Sequence, residues 1–139
     1  MGWTFYNSNG EALVQHAESE ATQAEMEAET AGAKFVPPDL VKNSPGVAKA
    51  WCRIDTDGTL VSPDYNIATV DDDGTGDRGV NIAVDFSSGN YTVSGMVSDI
   101  TSGTQRASNF AGGFFRLRVE NTSGTLTDGR NSIVCHGDQ

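Results

Sequence analysis

From Gly46 to the C-terminus apolar residues recur at every second position, the period of strands that bury one face and expose the other. Ala48, Ala50, Cys52 and Ile54 alternate with Lys49, Trp51, Arg53 and Asp55, and Tyr65, Ile67 and Thr69 alternate with Asn66, Ala68 and Val70. The cleanest run is Val80, Ile82, Val84 and Phe86. It is followed by Tyr91, Val93, Gly95 and Val97, by Phe115, Leu117 and Val119 set against Phe114, Arg116, Arg118 and Glu120, and by Ile133 and Cys135. Asp57-Gly58 and Ser87-Ser88-Gly89-Asn90 separate the runs with the residues that tight turns prefer. This pattern predicts a mainly β protein, with an antiparallel β-sandwich or jelly-roll knob over residues 45–139. Cys52 and Cys135 fall on the inward phase of the first and last strands. Two buried, adjacent thiols are expected, bonded only in an oxidising environment.

The N-terminal third has a different period. Val14, Ala17, Ala21, Ala24, Ala28, Ala31 and Phe35 are spaced alternately by three and four, and a Pro-Pro pair follows. Two apolar positions per heptad predict a helix over 11–36 that meets copies of itself as a short coiled-coil stalk, with these residues as the oligomer seam. The helix would run about 21 residues from Glu11 to Ala31, on the order of 30 Å. Glu11, Glu18, Glu20, Glu25, Glu27 and Glu29 lie on the same stretch without a Lys or Arg, so repulsion opposes association and an alanine seam buries little area against it. The rival reading is an Ala-rich solvated helix lying on its own β domain. Residues 37–44 form a stiff Pro-rich linker, because each proline restricts the residue before it.

Ahead of the helix, Trp3-Thr4-Phe5-Tyr6 reads as a short strand and Asn7-Ser8-Asn9-Gly10 as a turn, so residues 1–10 form an N-terminal strand. Trp3, Phe5 and Tyr6 need a surface to dock on. Two readings are open for them: padding for the protein's own fold, or an anchor inserted into a larger assembly.

Length admits one compact domain plus an appendage at 139 residues. A formal charge of −10 and a pI near 4.3, with no dense basic patch, predict that neither nucleic acid nor an anionic membrane is a partner. No apolar run is long enough for a membrane span, and the start lacks the pattern of a secretory signal, so a soluble chain is expected.

Catalytic chemistry has little to build on. His16 and His136 are the two histidines, no Gly-x-Ser-x-Gly elbow occurs, and no Gly-rich loop opens a helix after a strand. Asp55-Thr56-Asp57-Gly58 and Asp71-Asp72-Asp73-Gly74-Thr75-Gly76-Asp77 place carboxylates next to glycine, as a calcium cage begins, yet Ile82 stands where an EF-hand needs its bidentate Glu. Tight turns want the same residues. The chain is expected to be no enzyme and to use no metal or cofactor.

Pro45-Gly46-Val47-Ala48-Lys49-Ala50-Trp51, Ser62-Pro63-Asp64-Tyr65-Asn66-Ile67-Ala68-Thr69-Val70 and Asp73-Gly74-Thr75-Gly76-Asp77, with an alternating strand after them, resemble the knob or receptor-end domain of tailed-bacteriophage fibre proteins. Phe115-Arg116-Leu117-Arg118-Val119-Glu120-Asn121 resembles the end of such a chain, and Gly2-Trp3-Thr4-Phe5-Tyr6-Asn7 is similar to strands by which some phage fibres attach. The likeness is good over 45–86 and loose elsewhere, and it departs at Arg78-Gly79, where the family often carries Tyr or an aliphatic. It implies a virion structural protein without catalytic residues: a homotrimeric fibre or spike on the head, neck or tail. Other virion proteins would bind its N-terminus, and a host-surface glycan or protein its knob. A capsid-cement protein, with the knob on the capsid, and a small β-sandwich carbohydrate-active enzyme, with its carboxylates in the 55–77 loops, are the alternatives.

Overall fold

The computed structural model describes residues 5–6, 8–10, 12–13, 19–30, 32, 34–99 and 103–139. The chain divides into two compact units, Met1–Ser44 and Pro45–Gln139.

In the first unit, β1 (Phe5–Tyr6) and β2 (Ala12–Leu13) form a small antiparallel hairpin with Phe5 opposite Leu13. Gly10 in the intervening turn takes φ 76°, the left-handed conformation that glycine adopts without penalty. The 21-residue helix expected over Glu11–Ala31 does not form. The chain is extended at Ala12–Leu13, and the one α-helix described, α1, has five residues, Gln23–Glu27.

Local chemistry fixes both ends of α1. Thr22 is the N-cap, with its hydroxyl accepting from Glu25 N while the Glu25 carboxylate accepts from Thr22 N at 2.9 Å, a reciprocal capping box that starts a helix there. Ala28 is the C-cap and Glu29 takes φ 53°, which ends it. An alanine face offers too little burial to extend so short a helix against the repulsion of its glutamates. Lys34 Nζ reaches Glu25 at 2.6 Å, and this hydrogen bond, followed by those from Thr22, holds the Glu25 carboxyl down at about 2. A 310 helix, Pro38–Asn43, follows the Pro-Pro pair, with Pro38 in its first turn. The segment expected as a linker is therefore helical in part.

The second unit consists of two four-stranded antiparallel sheets. With β3 (Ala50–Ile54), β4 (Leu60–Tyr65), β5 (Ile67–Asp72), β6 (Asp77–Ile82), β7 (Thr92–Ser98), β8 (Gly103–Ala111), β9 (Phe114–Asn121) and β10 (Arg130–His136), the first sheet has the order β4-β3-β10-β7 and the second β5-β6-β9-β8. One core is shared by both. Ala50, Cys52, Ile54, Ile133 and Cys135 come from the first sheet, Ile67, Val80, Ile82, Phe115 and Leu117 from the second, and Phe86 and Tyr91 from the segment between β6 and β7. The chain passes from sheet to sheet at β4–β5, where Asn66 takes φ 57° and its side chain bonds Lys49 O, Val84 O and Val84 N.

That corner corrects two readings of the pattern. Tyr65 belongs to β4 and Ile67 to β5, so they do not share one strand; and β6 ends at Ile82, leaving Val84 63% exposed while Phe86 turns inward. The ends of the core are closed differently. At one, Tyr91 stacks on Phe86 at 4.1 Å, meets Phe110 and Phe115 edge-on, and donates its hydroxyl to Phe114 O; burial pushes that hydroxyl up to about 12. Arg78 closes the other end at 1% exposure, donating to Gly129 O, Asn131 Oδ1 and Thr56 O, while Asn131 donates to Gln105 Oε1. Arg78 is thus an inward position, and its guanidinium ties the turn after β3 to the loop before β10. Its Nε is buried without a partner.

Candidate functional site

Cys52 and Cys135 lie on the paired strands β3 and β10 and point into the core, both free. Ile133 stands opposite Cys52 and Ala50 opposite Cys135, so the two thiols are diagonal neighbours, a spacing at which disulfide closure demands backbone movement. Burial pushes each thiol up to about 12, with the neighbouring Cys135 adding to the effect on Cys52. Thiols held protonated in this way are poor nucleophiles and poor metal ligands.

The acidic turns are committed to the fold. Asp57 accepts from the backbone N–H and the hydroxyl of Thr59, whose hydrogen bonds lower its pKa. Asp55 accepts from Thr56 N and from Arg130, and is lowered chiefly by the first. In the second turn Asp72 accepts from Gly74 N, Asp71 from Asn81, and Asp73 and Asp77 from arginines on β9. Gly76 takes φ 65° and passes so close to Thr127 and Val119 that a Cβ there would sit 2.6 Å from Thr127 N. The tight-turn reading accounts for these residues, and among the described residues no His, Cys, Asp and Glu cluster into a metal-binding group.

Of the residues expected as an oligomer seam, Ala21, Ala24, Ala28 and Phe35 are among the described residues. Ala21 is buried and its N–H donates to Phe35 O at 3.0 Å, beside a parallel bridge between Glu20 and Phe35. Ala24 and Ala28 are exposed, as is Phe35. Ala24 lies within α1 and Ala28 caps it, and α1 is shorter than one heptad. Val14, Ala17 and Ala31 of the seam, and Trp3 of the anchor, lie outside the described residues; Phe5 and Tyr6 of the anchor are the backbone of β1.

The two sheets have contrasting outer faces. On the second sheet, Gly79 stands opposite Arg116, Asp77 opposite Arg118, and Arg106 opposite Arg118. Arg116 meets Asp77 at 2.6 Å and Asp73 at 3.1 Å, Arg118 meets Asp77 at 3.2 Å, and Arg106 pairs with Glu120. Hydrogen bonding to Arg116 is the chief reason Asp77 is lowered below the usual carboxylate range. Every charged group in that set has a partner on its own face.

The outer face of the first sheet confines its ion pairs to one end, where Arg130 meets Asp55 at 3.0 Å and Asp99 at 2.6 Å. Its register places Ser94, Val134, Trp51 and Tyr65 in one row across β7, β10, β3 and β4, and Met96, Ser132, Arg53 and Val61 in the next. Trp51 is 38%, Tyr65 48% and Met96 70% exposed. A depression of about 390 Å³ opens between β7 and β10, lined by Ser94, Met96, Ser132 and Val134 over the backbone of Gly95 and Ile133. Gly95 carries no Cβ because Gln105 of the opposite sheet occupies that space from within. The sequence phase puts Trp51 and Arg53 outward, but Leu60–Tyr65, with Pro63 within it, has no clean alternation to mark it as a strand, so nothing in the sequence pairs Tyr65 with Trp51.

Compared with protein-family models, with curated proteins and with solved structures, the chain matches none.

Proposed function

We propose that this chain is a structural protein of a tailed-phage virion, a short homotrimeric spike or fibre in which the N-terminal unit is the attached end and the β-sandwich of residues 45–139 is displayed for contact with a host surface. The observation that carries this reading is the contrast between committed chemistry and uncommitted surface. The buried thiols and the carboxylates of the two acidic turns are engaged in the fold, whereas the outer face of the first sheet exposes Trp51, Tyr65 and Met96. Such a face suits assembly and adhesion, and it needs no catalytic group. The family likeness over residues 45–86 points the same way.

The reading is tested on particles. Antibodies to the purified chain should label intact virions, and the chain should co-sediment with them through a density gradient; recovery solely as free protein, with particles unlabelled, would remove the structural role. Deleting residues 1–10 should leave the β domain folded, as judged by circular dichroism, and abolish incorporation. Normal incorporation of that truncated chain would place attachment in the β domain and favour a capsid-cement role.

A further inference from the structure

Six arginines occur in the chain, and five of them are held by carboxylates or carbonyls: Arg78, Arg106, Arg116, Arg118 and Arg130. Arg53 is the exception. It is exposed at the middle of the first sheet and, among the described residues, it has no hydrogen bond or ion pair. The residues beside it in its own row and the row toward Tyr65 are Trp51, Val61, Tyr65, Met96, Ser132 and Val134, without a carboxylate, and the row on its other side holds Arg130, which is already paired to Asp55 and Asp99. Trp, Tyr, Met and Arg are the types enriched at protein interfaces, and Asp, Glu and Lys the types depleted there.

We propose that the outer face of the first sheet is where a second copy of this chain docks, with Trp51 and Tyr65 as the apolar anchor and Arg53 receiving a carboxylate from the neighbouring copy. The inference rests on the trimer reading above and relocates its contact from the heptad segment to the β domain. Charge decides the occupant. Copies of a chain at −10 repel one another over most of their surface, whereas the acids on this face, Asp55 and Asp99, are both held by Arg130 at one end of it, so its centre is where copies can approach. The neighbour brings carboxylates in excess, and Arg53 is the guanidinium left unmatched to take one in a charge-assisted pair. Because Arg53 takes its carboxylate from a different surface of the neighbour, the contact is heterologous: this face on one copy meets an acidic surface of the next, and a rotation of one third of a turn closes it into the trimer.

Sedimentation velocity on the full chain between about 1 and 100 μM tests it with two variants. Trp51→Ser with Tyr65→Ser should convert the oligomer to monomer, and Arg53→Glu should weaken association at least tenfold by placing like charge against the incoming acid. Both should keep the wild-type circular dichroism and melting profile measured under conditions where all three chains are monomeric, which separates a lost contact from a lost fold. A wild-type trimer that persists unchanged in both folded variants would overturn this surface and leave the trimer reading standing. A wild-type chain that stays monomeric throughout would overturn both.

Discussion

The two sheets of the β domain are built from the same number of strands around the same core, yet their outer faces solve the problem of exposure in opposite ways. On the second sheet Asp77 lies between Arg116 and Arg118, Asp73 adds a second contact to Arg116, and Glu120 takes Arg106. The surface is highly charged and self-satisfied. On the first sheet the ion pairs of Arg130 with Asp55 and Asp99 are gathered at one end, and the centre holds Trp51, Tyr65, Met96 and Val134 around an Arg53 that is unpaired among the described residues. A face of the first kind contributes to the fold and offers little to a partner, since displacing its ion pairs costs what a new contact returns. The second kind contributes little to the isolated domain and has its interactions still to make.

Substitutions can separate these roles. The reference is the core that both faces overlie: Leu117→Ala, at a site 1% exposed, should cost about 3 kcal/mol in denaturant unfolding, and a loss below about 1 kcal/mol would mean that the sheets are not packed as described. Arg78→Met retains volume but leaves Gly129 O, Thr56 O and Asn131 Oδ1 without their donor, for an expected loss of about 2 kcal/mol. Little change would show that the inter-sheet tie is dispensable.

A smaller effect is expected on the outer face of the second sheet. Asp77→Asn should cost about 1 kcal/mol near neutral pH without changing association. Its pH dependence has a fixed sign. A carboxylate lowered in the folded state contributes fully above its unfolded value of about 3.9 and loses that contribution as pH falls through the lower folded value. The stability gap between wild type and Asp77→Asn should therefore close on acidification; a gap that widens would contradict the pairing with Arg116. Trp51→Ser with Tyr65→Ser should change the stability of the monomer by no more than about 0.5 kcal/mol per site, the smallest effect of the series, while producing the largest change in association.

The thiols supply an independent check on the core. With both pushed up to about 12, neither Cys52 nor Cys135 should react with an alkylating reagent at pH 8 in the native protein, and both should react on unfolding. Rapid native labelling would indicate that β3 and β10 open readily.

The sequence showed the β domain where alternation was carried by large apolar residues and concealed it where small or polar residues took the inward positions. Cys52, Val80, Phe115, Leu117 and Ile133 reveal their strands because their burial is hydrophobic. The strand Gly103–Ala111 turns Gly103, Gln105 and Ala107 inward, and no apolar period marks it; Gln105 can be there because Asn131 donates to it, a partner 26 residues away. The corner at Asn66 was hidden because a left-handed residue at a sheet crossing leaves the apolar count unchanged while shifting its phase. In the N-terminal unit the heptad spacing was present but energetically weak. The capping box at Thr22 and Glu25, a signal of three residues' reach, set where the helix begins, and tertiary burial was too small for the longer pattern to prevail. The candidate site was half legible: Trp51 and Arg53 followed from phase, whereas Tyr65 and Met96 required the register.

Oxidative footprinting of side chains in the intact protein, compared below and above the concentration at which copies associate, reads the two faces in one experiment. Modification of Trp51, Tyr65 and Met96 should fall on association while that of Phe114, on the outer face of the second sheet, should stay the same. Protection of Phe114 with Trp51, Tyr65 and Met96 left as reactive as in the monomer would contradict docking on the first sheet.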